Sequence, residues 1–142
     1  MKVILDANII IAFLLTKGFI VSSIFDYWER NAYKLLVSND ILEEYSLILS
    51  RLVNKGIIKP YLSRILFNKI QKKAIIIKTH SKVSISPDKK DNRYLECSKD
   101  GKADYLITRD ENHLYFLKRY QYTKILSAKE FLYILHSLDY SN

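Results

Sequence analysis

The sequence predicts an α/β fold of three layers, α/β/α, built around a mainly parallel five-stranded sheet. Two observations predict it. Short apolar or β-branched runs recur at residues 3–5, 35–37, 74–77, 105–108 and 124–126 as continuous stretches, the pattern of strands covered on both faces. Apolar residues at helical spacing fill most of the intervals between them, so each strand returns to its neighbour by a crossover and the sheet is parallel.

In chain order, the strand at 3–5 leads through Asp6-Ala7-Asn8 into the apolar stretch 9–15, and a second apolar stretch follows around 19–28. After the strand at 35–37, Ser38-Asn39-Asp40 supplies capping residues for a helix marked by Ile41, Tyr45, Ile48 and Leu52. Leu62, Leu66 and Ile70 mark the next helix, beyond the punctuation of Gly56 and Pro60. Ser86-Pro87-Asp88 opens a helical segment at 89–98, and a short helix is expected at 111–117. Phe131, Ile134, Leu135 and Leu138 mark the last helix.

A chain of 142 residues makes one domain, 1–142, with a self-sufficient core. Its 49% apolar content with 3 Gly and 2 Pro excludes a disordered or linker-rich protein. Cys97 is the single cysteine, which excludes an internal disulfide, and no Cys/His spacing suits zinc; both fit a reducing compartment. The run 9–15 is far shorter than the roughly 20 residues of a membrane span, so the expectation is a cytoplasmic protein with no membrane contact. With 23 basic against 15 acidic residues the formal charge is +8, a balance that favours polyanionic partners or merely a soluble basic surface.

The acids are more informative than the bases. Asp6 ends the first strand, Glu43 and Glu44 begin the helix after the second, Asp91 begins the helix after the third, and Asp110 follows the fourth. In a parallel sheet these positions share the carboxyl edge, where α/β proteins bind ligands. Converging carboxylates repel one another unless protons or cations intervene, and Mg²⁺ or Mn²⁺ takes oxygen ligands in that arrangement. Helix geometry separates the adjacent glutamates: Glu43 points away from the apolar face and Glu44 lies at its margin, so Glu44 is the candidate. Asp88 suits an N-cap and Asp91 the site; Asp104, at the opposite end of its strand from Asp110, suits loop backbone groups, and Asp100 a solvated turn before Gly101. Each candidate has a plainer role beside the metal: Asp6 and Asp110 as helix caps, Glu44 in a boundary ion pair.

These residues resemble a known family. Val3-Ile4-Leu5-Asp6-Ala7-Asn8, Ile41-Leu42-Glu43-Glu44-Tyr45, Asp91-Asn92-Arg93-Tyr94-Leu95, the segment from Ala103 to Asp110 and Ser127-Ala128-Lys129-Glu130-Phe131 are similar, in order and spacing, to the motifs of the PIN-domain family, over essentially the whole chain. The resemblance implies a Mg²⁺- or Mn²⁺-dependent endoribonuclease with Asp6, Glu44, Asp91 and Asp110 as its catalytic and metal-holding quartet and Asn8 and Thr108 in support. It also looks like the VapC-type toxins of toxin–antitoxin pairs, which implies RNA as substrate and an antitoxin encoded by a neighbouring gene as partner. Arg109 departs from the small residue relatives often carry there. Lys89, Lys90, Arg93 and Arg109, beside the acids, are the candidates for holding RNA phosphates, and Tyr94 and Tyr115 for stacking bases. The stretches 19–28 and 61–70 serve equally as core or as a homodimer surface.

Other classes fit less well. A haloacid-dehalogenase-like phosphatase wants a second Asp where Asn8 stands, and a receiver-like domain wants adjacent acids after its first strand. The non-enzymatic alternative is a catalytically inactive PIN-like module that binds RNA or protein.

Overall fold

The computed structural model describes residues 1–16, 18–86, 88–109 and 114–140. Six strands form one sheet: β1 (Lys2–Leu5), β2 (Lys34–Ser38), β3 (Ile75–Ile77), β4 (Tyr105–Ile107), β5 (Arg119–Tyr120) and β6 (Thr123–Leu126). Their order is β3-β2-β1-β4-β6-β5, parallel throughout except for the β5–β6 pair. The helices are α1 (Ala7–Leu15), α2 (Phe19–Glu29), α3 (Asn39–Asn54), α4 (Pro60–Lys73), α5 (Lys89–Gly101), α6 (Leu114–Leu117) and α7 (Ala128–Tyr140).

The five expected strands are present and a sixth joins them. β5 is two residues long and carries no apolar run, so nothing in its composition marks it; it exists because Tyr120 and Thr123 close a tight hairpin back onto β6. Val3, Ile4 and Leu5 are all fully buried although successive residues of a strand face opposite sides, which requires cover on both faces of the sheet. β3 departs from that expectation. It is an edge strand, and Ile75 and Ile76 are 39% and 52% exposed.

α2 packs on α7, while α3 packs against α1, α4 and α5. The stretch 19–28 buries Val21, Ile24, Phe25, Tyr27 and Trp28, with Phe25 stacked on Phe13 at 4.1 Å between centroids. α4 buries only Leu66 and Ile70 and leaves Tyr61, Leu62 and Ile65 exposed. α5 approaches the sheet closely enough that a Cβ on Gly101 would sit 3.0 Å from Ile77 and Leu36 side-chain atoms, which is why that helix ends on glycine. Among the described residues, no single helix is long and apolar enough to cross a membrane.

Candidate functional site

Sheet order alone puts the end of β1 beside the end of β4. Leu5 pairs with Ile107, the Asp6 N–H donates to the Ile107 carbonyl at 2.9 Å, and the next residue along each strand, Asp6 and Thr108, come side by side. Thr108 Oγ1 donates to Asp6 Oδ2 at 2.7 Å, with both side chains buried. Asp6 stands at the N-cap position of α1 yet makes no side-chain cap bond. The bond to its side chain comes instead from Thr108, on the neighbouring strand.

That placement is electrostatically costly. Burial pushes the Asp6 carboxyl from 3.8 up to about 6, and the negative charges of Glu44 and Asp91 push the same way; the Thr108 hydroxyl and the Asn8 N–H pull against them. Asn8 itself is exposed. Glu44 arrives from α3, whose start is fixed by Ser38: the Ile41 N–H donates to Ser38 Oγ at 3.1 Å. Glu43 faces solvent and Glu44 faces inward, as helix geometry requires.

Tyr94 joins the two acidic elements. Its hydroxyl donates to Glu44 Oε2 at 2.6 Å and accepts the Ala7 N–H at 3.1 Å, so one buried phenol bridges the start of α1 and the side of α3. Burial holds its pKa well above the usual 10, which keeps it a donor. Tyr94 is 1% exposed, so the expected role in base stacking is corrected: this ring is core, and its hydroxyl is a structural strut. Beside it, the Tyr45 hydroxyl donates to the Leu5 carbonyl.

Asp91 lies in the first turn of α5, 7% exposed, and accepts from Ser86 Oγ at 3.2 Å. Asp88 is the cap, accepting the Lys90 N–H at 3.0 Å. Asn92 clasps the preceding loop, accepting the Ser86 N–H at 2.9 Å and donating to the Ser86 carbonyl at 3.1 Å. Ser86 and Asn92 were not among the sequence candidates; a polar Asn directly after Asp91, on the inward side of the helix, is the signal that could have singled out Asn92. Asp104 accepts the Lys2 N–H at 2.8 Å, at the edge away from the acids. Asp100 is not in a solvated turn: it lies within α5 and accepts from the His80 and Ser81 N–H groups and the Ser81 hydroxyl.

Of the basic candidates, Lys89, Lys90 and Arg109 are exposed. Arg93 turns toward α3, where Nη1 donates to the Asp40 carbonyl at 3.1 Å and lies 3.9 Å from Glu44 Oε2. Thr108, Arg109, Tyr115, Ser127, Ala128 and Lys129 line a cleft of about 410 Å³ next to Asp6. Asp110 lies outside the described residues.

Asp6, Glu44 and Asp91 offer the all-oxygen donor set that suits a hard divalent cation, and a buried carboxylate with a raised pKa between two other carboxylates is short of positive charge. Among the described residues, however, no three His, Cys, Asp or Glu side chains stand close enough together to hold a metal ion.

The sequence model of the PIN domain matches residues 2–112. The chain belongs to the PIN-domain family. Its fold is similar to two solved structures at low sequence identity. One is VapBC2 from Rickettsia felis bound to a DNA fragment from their promoter, with TM-score 0.60 and 12% identity over 89% of this chain and 98% of that one. The other is PAE2754 from Pyrobaculum aerophilum, with TM-score 0.64 and 13% identity over 96% of this chain and 90% of that one. Comparison with the curated proteins finds no match. As a PIN domain, the chain has the α/β/α architecture its sequence predicts, with one strand more than expected.

Proposed function

We propose that this PIN domain is a metal-dependent endoribonuclease, with Asp6, Glu44, Asp91 and Asp110 holding Mg²⁺ or Mn²⁺ at the carboxyl edge of the sheet. The observation that carries this reading is Asp6: a 5% exposed carboxylate at the end of β1, uncapped, with two further carboxylates bearing on its charge. A buried acid in that setting either carries a proton or faces a cation.

The bound ion would supply Lewis-acid stabilisation of charge on the phosphate and activation of the attacking water. The chain's own residues do the rest. Thr108 fixes the rotamer of Asp6 and leaves its other oxygen free of that bond. Tyr94 orients Glu44, whose carboxylate takes a proton from the attacking water. Asn8, exposed beside Asp6, orients water or substrate, and Lys89, Lys90, Arg93 and Arg109 neutralise backbone phosphates.

The reading extends to the cell: one domain over residues 1–142, cytoplasmic, acting as the toxin of a toxin–antitoxin pair with an antitoxin encoded next to it. What supports the partner is the likeness in fold to VapBC2. A second copy of the chain is the other protein partner in this reading, for which Tyr61, Leu62 and Ile65 offer exposed apolar area.

The experiment is cleavage of labelled RNA with Mg²⁺ or Mn²⁺ by the wild type and by Asp6→Asn and Asp110→Asn. Cutting by the wild type that both variants lose supports the reading. No cutting under either metal favours an inactive RNA- or protein-binding module, and equal cutting by the variants overturns Asp6 and Asp110 as the site of cleavage. Expression that arrests growth, relieved by the neighbouring gene's product, tests the toxin role.

A further inference from the structure

The cleft beside Asp6 does not end at Tyr115. A second cleft, about 280 Å³, is lined by Tyr115, Lys118, Arg119, Lys124, Leu126 and Glu130, so Tyr115 is a wall common to both. The described residues lining the pair include five basic side chains, Arg109, Lys118, Arg119, Lys124 and Lys129, against a single acid. That acid is tied to the start of α7, and the Lys118 charge also bears on it. Glu130 Oε1 accepts the Ser127 N–H at 3.0 Å and the Tyr115 hydroxyl at 2.8 Å, while Ser127 Oγ accepts the Glu130 N–H at 3.2 Å, a reciprocal capping box that starts α7.

Two features of the second cleft carry a local cost. Arg119 and Lys124 stand directly opposite each other on the antiparallel β5–β6 ladder, where like charges repel. Lys118 holds φ at 61°, a left-handed conformation that glycine or asparagine would adopt at lower cost. The left-handed turn at Lys118 lets its carbonyl accept the Ile125 N–H at 2.9 Å, whereas the facing Arg119 and Lys124 are suited to an anion between them.

We infer that the two clefts form a track for a single RNA strand, running from the Asp6–Thr108 corner past Tyr115 to the β5–β6 hairpin and holding the phosphates that flank the scissile bond. This rests on the ribonuclease reading and gives it a direction. An acidic polypeptide satisfies the same charges, but only a strand presenting a phosphodiester at Asp6 has a reason to start in the cleft that Thr108 lines. Lys118, Arg119 and Lys124 are positioning residues, and Tyr115 offers a ring on which an unpaired base can stack.

The test measures binding of a labelled single-stranded RNA of about ten nucleotides, a length suited to such tracks. It is made in the non-cleaving Asp6→Asn background, with Lys118→Glu/Lys124→Glu added and with Lys72→Glu on α4 as the control, alongside cleavage by the same charge variants with Asp6 intact. The double reversal weakens RNA binding about tenfold or more and lowers the salt slope by about two, and Lys72→Glu changes neither. Equal affinity for the double reversal and the control overturns the track while leaving the nuclease reading intact if the wild type cuts. No RNA binding and no cutting by any form overturns both, as does binding of polyglutamate in place of RNA. Crosslinking of 4-thiouridine RNA to the protein with native surface charges gives an answer that does not depend on the folding of the variants. Crosslinked peptides from residues 114–130 support the track, and crosslinks confined to 89–93 overturn it.

Discussion

At the scale of single residues, the site is a set of short hydrogen bonds whose removal has separable effects. Asp6→Asn deletes the charge that burial penalises and keeps the shape. Cleavage by this variant falls by at least about 100-fold, the usual scale for losing a group that acts directly in catalysis, as a labelled-RNA assay reads. Thr108→Val keeps the carboxylate and removes the bond that orients it. Loss of a supporting contact of this kind costs about 10–100-fold in metal affinity or activity. Tyr94→Phe acts through two partners at once, since Glu44 and the Ala7 N–H both depend on that hydroxyl. Leaving a buried donor unpaired costs about 1–3 kcal/mol, so this variant melts earlier by calorimetry as well as cutting more slowly. Helix geometry told Glu44 from Glu43 and cap spacing told Asp88 from Asp91. That Tyr94 anchors its helix inward is legible in the sequence, but the work of its hydroxyl is not, because its partners lie 50 and 87 residues away.

At the scale of elements, what the sequence displays is burial on both faces. β1, β2 and β4 were legible because their neighbours on each side force continuous apolar runs, whereas β6 alternates, with Lys124 exposed between buried Thr123 and Ile125. β5 was not, since a two-residue strand is created by the hairpin that carries it rather than by its own residues. β3 shows the converse: its isoleucines announce a strand, but an edge position cannot be told from a central one by composition, and two of them stay exposed. Asp100 looked like turn chemistry beside a glycine, yet Gly101 is where α5 touches β2 and β3, and the helix continues through both. The clasp between Asn92 and Ser86 was equally hidden, although it places the loop next to Asp91. Asn92→Ala frees the Ser86 amide and carbonyl. The variant loses about 1–3 kcal/mol. Amide exchange then accelerates at Ser86 and its neighbours while the β1 amides stay protected, which exchange measured residue by residue reports.

At the scale of the whole molecule, the charge of +8 includes one acid, Asp6, buried at the carboxyl end of β1, where Glu44 and Asp91 bear on its charge. Under the proposed function, that buried acid makes the response to pH depend on metal. In the metal-free chain the Asp6 carboxyl has its folded value raised to about 6 against 3.8, so folding favours the protonated form. Its contribution is fully present below about pH 4 and lost as pH rises through 6, a span worth about 3 kcal/mol at 1.4 kcal/mol per unit. Asp100 and Glu130, whose values are lowered by the N–H and hydroxyl groups they accept from, contribute in the opposite sense and lose their stabilisation on acidification. Comparing wild type with Asp6→Asn cancels those groups and isolates Asp6. Without metal, Asp6→Asn is the more stable protein above pH 6, and the advantage shrinks toward pH 4. Saturating Mn²⁺ reverses the order. An ion at 100 times its dissociation constant adds about 2.7 kcal/mol to the wild type alone, and does so best where Asp6 is ionised. Thermal melts of the two proteins between pH 4 and 8, with Mn²⁺ and with chelator, therefore give curves that cross. If Mn²⁺ leaves both melting profiles unchanged across that range, Asp6 is not a metal ligand, and its raised pKa is the mark of a carboxyl desolvated by burial.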